Sequence, residues 1–290
     1  MKKIGGYQIF TFFNYIFMTA IILVTLYPIW HVIVASFSDP AMLYTHDGML
    51  LLPLGEPSIK AYDLVFSNRQ ILSGFRNTLF VLVVGVLVNL LFTMLGAFFM
   101  SVKGPMLANV FGYMVIISMY FHGGMIPTYL NIVDLGLLDS LWSLILPVAI
   151  TTSNMIIMKS AFASVPSSLI ESALLDGANY GQVLAKIMVP LSKATVAVLV
   201  LYYGVSHWNS WFNASIYLRD GEKFPLQLVM RNIMSALTTG VAGEGAEDAA
   251  FMAQQMQYAL IVVVSFPIMA VYPFIQKYFV KGVMVGAVKG

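Results

Sequence analysis

The sequence predicts an all-α membrane protein with six transmembrane helices and both termini in the cytoplasm. Two observations predict the class. Of the 290 residues 59% are apolar and only 10% are charged, and the mean hydropathy is +0.84. A soluble domain usually carries about a quarter charged residues. A third observation, the uneven distribution of lysine among the loops, predicts on which side of the membrane the termini lie.

Six segments are apolar and long enough to cross a bilayer, which takes about 20 helical residues. In chain order they are 11–36, 79–101, 107–126, 140–159, 194–216 and 257–277. The first follows Lys2 and Lys3 in the order of a signal peptide, but its apolar run is too long for a cleaved signal, so we expect an uncleaved span. His122, Gly123 and Gly124 interrupt the end of the third span, where we expect a bent or re-entrant element. Residues 1–290 form one transmembrane domain.

Loop charge predicts the orientation of the spans. An even number of spans places both termini on one side, and the side with the denser Lys and Arg is cytoplasmic. The terminal side carries nine basic residues against two acids, Glu171 and Asp176. The opposite side carries six basic residues against the other eleven acids. The nine are Lys2, Lys3, Lys103, Lys159, Lys186, Lys193, Lys277, Lys281 and Lys289.

Several activities are disfavoured by what the chain lacks. Without cysteine it has no disulfide scaffold, thiolate metal site or cysteine nucleophile. It contains no Gly-Lys dipeptide, so it has no P-loop for ATP. The six apolar cores hold no Asp, Glu or Arg, which argues against a proton-coupled carrier but leaves open a sodium site made of carbonyls and hydroxyls. The four histidines share no ligand spacing, and no acid–base cluster indicates an enzyme. We therefore expect no metal, no cofactor and no nucleic acid on this chain, and energy supplied by another.

The segment "ESALLDGANYGQVLAKIMVP" (171–190) is unusually polar for its position between two spans. Ser168 and Glu171 have the spacing of a capping box at a helix start. Asp176 and Gly177 stop this helix, because glycine readily adopts the left-handed conformation that closes a helix. A second short helix is expected from Tyr180 to Met188, ending before Pro190.

The first of these helices is amphipathic, with an apolar face formed by Leu169, Ile170, Ala173 and Leu174 at spacings of three and four. Two interpretations fit this pattern. The helix either lies passively at the membrane surface or docks in a groove of a cytoplasmic partner.

The same segment resembles the EAA loop of the membrane subunits of ABC importers. Glu171, Ser172 and Ala173 match its first element, Gly177 its glycine, and Ile187 with Val189-Pro190 its end. The departures from the family pattern are Ser172 and Val189. The resemblance implies that 160–193 is a cytoplasmic coupling loop, in which Glu171 pairs with a basic residue of an ATPase, Ala173 allows close docking, and Gly177 forms the bend. The coupling residues implied are Glu171, Ser172, Ala173, Asp176, Gly177, Ile187 and Pro190.

Further stretches resemble sugar-importer permeases, in particular the oligosaccharide branch of Gram-positive bacteria. These stretches are "GGMIPTYLNIVDLGLLDSLWSLILPVAITTSNMIIMKSAF" (123–162), "WNSWFNA" (208–214) and "KYFVKGVMVGAVKG" (277–290). The resemblance implies a type I ABC importer fold in the cytoplasmic membrane. It also implies a second homologous permease, two ATPase subunits that hold ATP and magnesium, and an extracellular binding protein for an oligosaccharide. Alternatives are an ABC importer for a non-sugar solute and a sodium-coupled carrier.

Polar side chains in the fifth span are candidates for the translocation path, because sugars are held by hydrogen bonds and aromatic stacking. Tyr202, Ser206, Asn209 and Asn213 would form one stripe along a continuous helix, and Tyr203, His207 and Trp211 the adjoining one. The alternative is that such residues only bond the helix to its neighbours. Thr152, Ser153 and Asn154 in the fourth span are weaker path candidates, Asn89 in the second span is expected to make an interhelical bond, and Pro147 can kink its helix.

Overall fold

The computed structural model of the protein describes residues 6–102, 106–121, 123–239 and 246–287. Over these ranges the chain is helical and contains no strand, which confirms the predicted all-α class. Five residues used in these predictions lie outside the described residues. Lys2, Lys3, Lys103 and Lys289 support the predicted orientation, and His122 belongs to the predicted break in the third span.

Helices account for most of the described ranges, and the longest described connection between them covers residues 45–59. The α-helices are α1 (Gly6–Phe37), α2 (Pro40–Tyr44), α3 (Lys60–Ser67), α4 (Arg69–Ser101), α5 (Ala108–Tyr120), α6 (Met125–Asp134), α7 (Thr152–Ala163), α8 (Ser167–Leu175), α9 (Tyr180–Val183), α10 (Val189–Leu191), α11 (Lys193–Trp208), α12 (Trp211–Tyr217), α13 (Leu226–Thr239) and α14 (Ala246–Ala287). Three 3₁₀ turns cover Leu141–Leu144, Leu146–Val148 and Gly221–Lys223, and one π-helical turn covers Leu184–Met188.

Three described helices can cross a bilayer unaided by length and composition: Phe10–Phe37, Arg69–Ser101 and Ala250–Val271. Three bent pairs meet the same criterion when each pair is taken as one span. They are α5 with α6, Leu141–Val148 with α7, and Tyr180–Leu191 with α11. The described residues therefore provide up to six spans, while the count of six and the side of the termini stay predictions.

The fourth span is not the continuous helix expected over 140–159. Its first half consists of the two 3₁₀ turns, and α7 begins only at Thr152 after a bend of 51°. Pro147 explains the change, because its ring removes a backbone donor and clashes with the carbonyl one turn earlier.

The third and fifth predicted spans are also interrupted. The third ends at Tyr120, and the chain resumes at Met125 after Gly124, which has a φ of +87°. The fifth was expected as one helix over 194–216, but α11 ends at Trp208 and α12 starts at Trp211. With 16 residues, α11 is about 24 Å long at ~1.5 Å per residue, shorter than a ~30 Å hydrocarbon core.

The chain forms two compact units. The first contains, of the described residues, 6–69, 230–239 and 246–266. In this unit Gln255 is fully buried, and its Nε2 donates to the Ser38 carbonyl at 2.8 Å. The apolar window of α1 is unburied along its length, so its side chains face the surroundings of the chain.

The second unit contains residues 70–102, 106–121, 123–229 and 267–287 of the described chain. Its main core brings α4, α7 and α11 together, with Ala97, Met158, Phe162 and Leu199 almost wholly buried. Because lipid tails are as apolar as these side chains, the helices are held together by close packing and hydrogen bonds more than by exclusion of water.

Candidate functional site

The first helix of the coupling segment, α8, begins two residues earlier than the capping box predicted. Its N-cap is Pro166, and no side chain caps it. Ser168 is the second helical residue rather than the cap, so the predicted Ser168–Glu171 capping box is wrong. A proline with extended ψ sets the helix start here instead of a hydroxyl.

The end of α8 is built as the sequence predicted. Gly177 has a φ of +85°, in the left-handed region that favours glycine. The Gly177 N–H donates to the Leu174 carbonyl at 3.1 Å, and the Ala178 N–H donates to the Ala173 carbonyl at 2.9 Å. These two bonds form a Schellman closure, which satisfies carbonyls that the helix end would leave unpaired.

A capping box does occur two residues later, at the start of α9. The Asn179 side chain accepts from the Gln182 N–H, and the Gln182 side chain accepts from the Asn179 N–H, both at 2.9 Å. The helix was expected to end before Pro190 but continues to Leu191 through the π-helical turn. The π-helical turn ends two residues before Pro190, which has no backbone N–H to donate within the helix. Such π turns are often found at functional sites.

One face of the coupling segment packs on the chain itself, and the other is exposed. Ile170, Ala173 and Leu174 are half-buried against the main core of the second unit. Glu171 is exposed, and Leu175 is exposed over 89% of its surface. Of the other predicted coupling residues, Ser172, Asp176, Gly177 and Pro190 are exposed and Ile187 is half-buried.

The second half of the segment leads directly into α11. Tyr180–Leu191 and α11 meet at an angle of 85°, with Ser192 buried at the junction. The coupling segment therefore adjoins the N-terminal end of α11 directly.

The two predicted path stripes of the fifth span do not lie along one helix. The break at Asn209 and Ser210 separates Tyr202 and Ser206 on α11 from Asn213 on α12. Tyr202 and Ser206 are exposed, while Asn213 is half-buried. The helix breaks where Asn209 turns its Nδ2 back to the Val205 carbonyl at 3.0 Å.

The adjoining stripe consists mainly of interhelical contacts. The Tyr203 hydroxyl lies 2.6 Å from the Thr93 hydroxyl, and His207 Nε2 lies 2.6 Å from Asn89 Oδ1. These four residues are buried, and they bond α11 to α4. Trp211 is half-buried on α12 and packs in a second core of the unit.

Asn89 is the centre of this network, and its predicted interhelical bond is confirmed. Its Oδ1 faces His207 Nε2, and its Nδ2 donates to the Val148 carbonyl at 2.5 Å, in the second 3₁₀ turn of the broken fourth span. Gly85 lies one turn before Asn89 on α4, and this position requires glycine because a Cβ on residue 85 would lie 2.5 Å from His207 Nε2. Helices α4 and α11 and the fourth-span break are thus joined through one side chain.

A cavity of about 370 Å³ lies beside this break, between Met119 of α5 and residues 147–153. Three hydroxyl-bearing residues, Thr151, Thr152 and Ser153, line it. Two of them, Thr152 and Ser153, are among the weaker path candidates, whereas Thr151 escaped the sequence argument. Pro147 was the signal for the break, but it did not indicate a cavity.

A second polar cluster, which the sequence did not suggest, joins two loops of the same unit. Asp139 has a φ of +56°, and its Oδ1 accepts from the backbone N–H groups of Arg219 and Asp220 at 3.0 Å. Its Oδ2 accepts from Lys223 Nζ at 2.7 Å. The bond from Lys223, followed by the two backbone bonds, lowers the pKa of the Asp139 carboxyl to about 2, and the same bond from Asp139 raises the pKa of Lys223. Within the described ranges no three His, Asp or Glu side chains are grouped to hold a metal.

Comparisons with known proteins extend over nearly the whole chain, although no family model matches it. Protein LplC of Bacillus subtilis (strain 168) is 39% identical over 285 residues, 98% of this chain and 96% of the relative. The polygalacturonan/rhamnogalacturonan transport system permease protein YtcP of the same organism is 38% identical over 286 residues, 98% of this chain and 99% of the relative. A crystal structure of a bacterial ABC transporter involved in the import of the acidic polysaccharide alginate contains a chain that matches with a TM-score of 0.85. That chain is 33% identical, and the match covers 94% of this chain and 97% of the other.

Permeases of this kind are integral membrane proteins, and the ATPase of the transporter is on separate subunits. At such identity and coverage, together with the shared fold, the chain belongs to the carbohydrate-uptake family of ABC-importer permease subunits.

Proposed function

We propose that this chain forms one half of the translocation path of an ATP-driven oligosaccharide importer in a bacterial cytoplasmic membrane. The observation that carries the proposal is the helix–glycine–helix segment 167–191, which exposes Glu171 at one end and leads into α11 at the other. A chain without a P-loop needs such a place at which a separate ATPase can act.

The proposed cargo is an oligosaccharide, because two of the relatives belong to transport systems for polysaccharides. One belongs to a polygalacturonan/rhamnogalacturonan transport system, and the structural relative imports alginate. Galacturonate and alginate residues carry carboxylates, whereas the predicted spans contain no Arg and hold Lys only at the last position of two of them, Lys159 and Lys277. We therefore expect this subunit to recognise the hydroxyls of the glycan rather than to form ion pairs with it inside the membrane.

The proposed assembly contains a second homologous permease, two ATPase subunits with ATP and magnesium, and an extracellular binding protein. ATP binding closes the ATPases, and this closure moves the outward face of α8, which carries Glu171 and Leu175. Since α8 is anchored through Ile170 and Leu174 to the core around α11, the motion passes to the membrane helices. The translocation path then opens toward the binding protein, and ATP hydrolysis returns the path to its inward-facing state.

Replacement of Glu171 tests the coupling role. In the complex reconstituted with its permease partner, ATPases and binding protein, Glu171→Ala should lower binding-protein-stimulated ATP hydrolysis at least about tenfold. This is the loss expected when an interfacial charge pair worth ~1.4 kcal/mol or more is removed. Glu171→Lys should also reduce co-purification of the ATPases.

The matched control is Asp134→Ala, which removes another exposed acid from a helix end of the same unit. It should leave stimulation within about twofold of the wild-type value, a change within the ±0.5 kcal/mol usual for surface substitutions. Unaltered stimulated hydrolysis in Glu171→Ala would refute the coupling role.

A further inference from the structure

The connection between α2 and α3 contains a short apolar run that the fold presents outward. Residues 48–55 read "GMLLLPLG" and include no charged side chain. Three side chains of the run are exposed, Met49 over 72%, Leu51 over 65% and Leu52 over 74% of their surface, whereas Leu50 is buried with 2% exposure. We call these three exposed side chains the apolar tip. Grouped apolar side chains on a protein surface mark a contact with another protein or with a membrane.

The apolar tip is fixed to α1 by hydrogen bonds and by packing. Trp30 Nε1 donates to the Leu51 carbonyl at 3.0 Å, and the Leu50 N–H donates to the Tyr27 hydroxyl at 3.0 Å. The Leu50 side chain belongs to a small buried core that also contains Val34 of α1. The side chains that flank Leu50 are therefore held outward by the fold.

The far end of the apolar run is bonded as well. The Leu54 N–H donates to Ser38 Oγ at 3.1 Å, and the Asp39 N–H donates to the Leu54 carbonyl at 2.8 Å. Ser38 is in turn bonded from α14, because Gln255 Nε2 donates to the Ser38 carbonyl at 2.8 Å. The apolar tip is thus tied to both α1 and α14.

The position of Trp30 along α1 indicates the depth of the apolar tip in a bilayer. The apolar span Phe10–Phe37 has 28 residues, which is about 42 Å of helix at ~1.5 Å per residue and matches the roughly 40–45 Å of a bilayer with its headgroups. Trp30 precedes the end of this span by seven residues, or about 10 Å. This level is close to the boundary between headgroups and hydrocarbon, where Trp and Tyr rings are enriched.

The surroundings of the apolar tip favour lipid as its partner. The apolar window of α1 is unburied and Trp30 is itself exposed, so the tip continues the surface that this span presents to its surroundings. The irregular backbone of the run restricts it to the headgroup level, because backbone groups without partners are not tolerated in the hydrocarbon. The nearest charged residues, Asp47 and Glu56, are exposed on either side and limit the inserted length to the run itself.

The charge of the connection indicates which part of a lipid the apolar tip contacts. Interfacial segments that bind anionic lipids are rich in Lys and Arg. Residues 38–59 contain neither, and they carry the acids Asp39, Asp47 and Glu56. We therefore expect the tip to insert through its apolar side chains alone, without a requirement for anionic headgroups.

We propose that Met49, Leu51 and Leu52 form a membrane-surface anchor. They insert at the headgroup–acyl boundary of the leaflet at the C-terminal end of α1, which is the predicted outer leaflet. The anchor holds the connection 38–59 at a fixed level of the bilayer. This proposal goes beyond the importer function proposed above and does not depend on the cargo.

The test uses site-directed spin labelling, because the chain has no cysteine of its own. Met49→Cys, Leu51→Cys and Leu52→Cys each carry one nitroxide label, in the assembled importer with cysteine-free partner subunits in phosphatidylcholine nanodiscs. Power saturation compares the collision of each label with oxygen, which concentrates in lipid, and with a nickel chelate, which stays in water. Asp47→Cys is the matched exposed control, and spin-labelled phosphatidylcholines calibrate the depth.

We expect the oxygen-to-nickel collision ratio at the three tip positions to exceed the ratio at the Asp47→Cys label at least about tenfold, for a depth of about 5–10 Å. Replacing about a third of the lipid by phosphatidylglycerol should leave the ratio unchanged. Ready collision with the nickel chelate at the tip would overturn the anchor, because the tip would lie in water. Poor collision with both reagents would also overturn it, since the tip would then lie against a protein subunit.

A second pair of variants tests whether the apolar side chains hold the tip in lipid. With the label at Met49→Cys, Leu51→Asp/Leu52→Asp should lower the collision ratio to that of the Asp47→Cys label, because carboxylates oppose insertion. Leu51→Met/Leu52→Met keeps apolar side chains and should retain the original ratio. All variants are read in complexes that purify with the full set of subunits. An unchanged ratio in the Asp variant would refute the anchor, and so would insertion that occurs only with phosphatidylglycerol.

Discussion

Both polar atoms of the Asn89 side chain bond to groups of the protein, and the residue is buried where water cannot readily take the place of those groups. Its Oδ1 faces His207 Nε2, and its Nδ2 serves the Val148 carbonyl. A lone Asn in an apolar segment was a sufficient signal for an interhelical bond. Its partners were not predictable, because they lie 118 and 59 residues away in the chain.

Asn89→Leu should destabilise the protein by about 1–2 kcal/mol, since interhelical hydrogen bonds in membranes contribute up to about that much and two are lost. Thermal unfolding in detergent, calibrated against denaturant, measures the effect. In a double-mutant cycle with His207→Leu, the combined loss should be smaller than the sum of the single losses. Strict additivity would show that the pair is not coupled. Ser215→Ala, whose hydroxyl bonds only its own helix, is the control.

Asp139 gives a pH-dependent contribution to stability. Its folded pKa, about 2, lies below the ordinary value of 3.8, so the contribution is present above pH 3.8 and is lost as the pH falls toward 2. The difference in melting temperature between wild type and Asp139→Asn should therefore be largest near neutral pH and shrink between pH 4 and 2. A difference that stays constant across that window would contradict the assigned ion pair with Lys223.

At the scale of elements, local chemistry predicted the end of α8 and the start of α9, but neither the start of α8 nor the continuation of the second helix to Leu191. Gly177 closes α8 as expected, because its left-handed conformation is a property of one residue type. The capping box was predicted at Ser168 but is formed by Asn179 and Gln182. Both positions offered the right residue types, and the proline before α8 decided where that helix begins.

Gly177→Ala tests the importance of this closure. No atom lies within 4 Å of the added Cβ, so the cost is that of the left-handed backbone alone, about 1–2 kcal/mol. We expect reduced stability and a larger loss of binding-protein-stimulated ATP hydrolysis, because α8 would be tilted relative to α9. Gly204→Ala on α11 also meets no neighbouring atom but has an ordinary helical φ, so it should be close to neutral. Equal effects of the two changes would contradict the special role of Gly177.

The spans themselves were predicted from hydropathy, but their interruptions were not. Apolar length is a sum over many residues, so it identifies 79–101 and 11–36 reliably. The break of the fifth span depends on Asn209 and Ser210 turning back on α11, which tertiary packing decides. The polar stripe drawn through that break, from Tyr202 to Asn213, was therefore wrong as a continuous surface.

At the scale of the whole molecule, the features that the chain lacks and the features that it exposes support the same account. It has no P-loop, and its predicted spans carry no charged residue except Lys159 and Lys277 at their ends, yet it exposes Glu171 on a helix beside its core. The motif of the coupling segment could be predicted from sequence, because its residues are close in the chain. The cavity at 147–153 could not, because its wall is completed by Met119 and fixed by Asn89, far away in sequence.

The most direct test of the account is uptake of labelled oligogalacturonides and alginate oligosaccharides by proteoliposomes, compared between the full complex and this permease reconstituted without ATPases. The account predicts uptake only with the ATPases, the binding protein and ATP, and none from this chain on an imposed sodium gradient. Sodium-driven uptake without ATPases would contradict it.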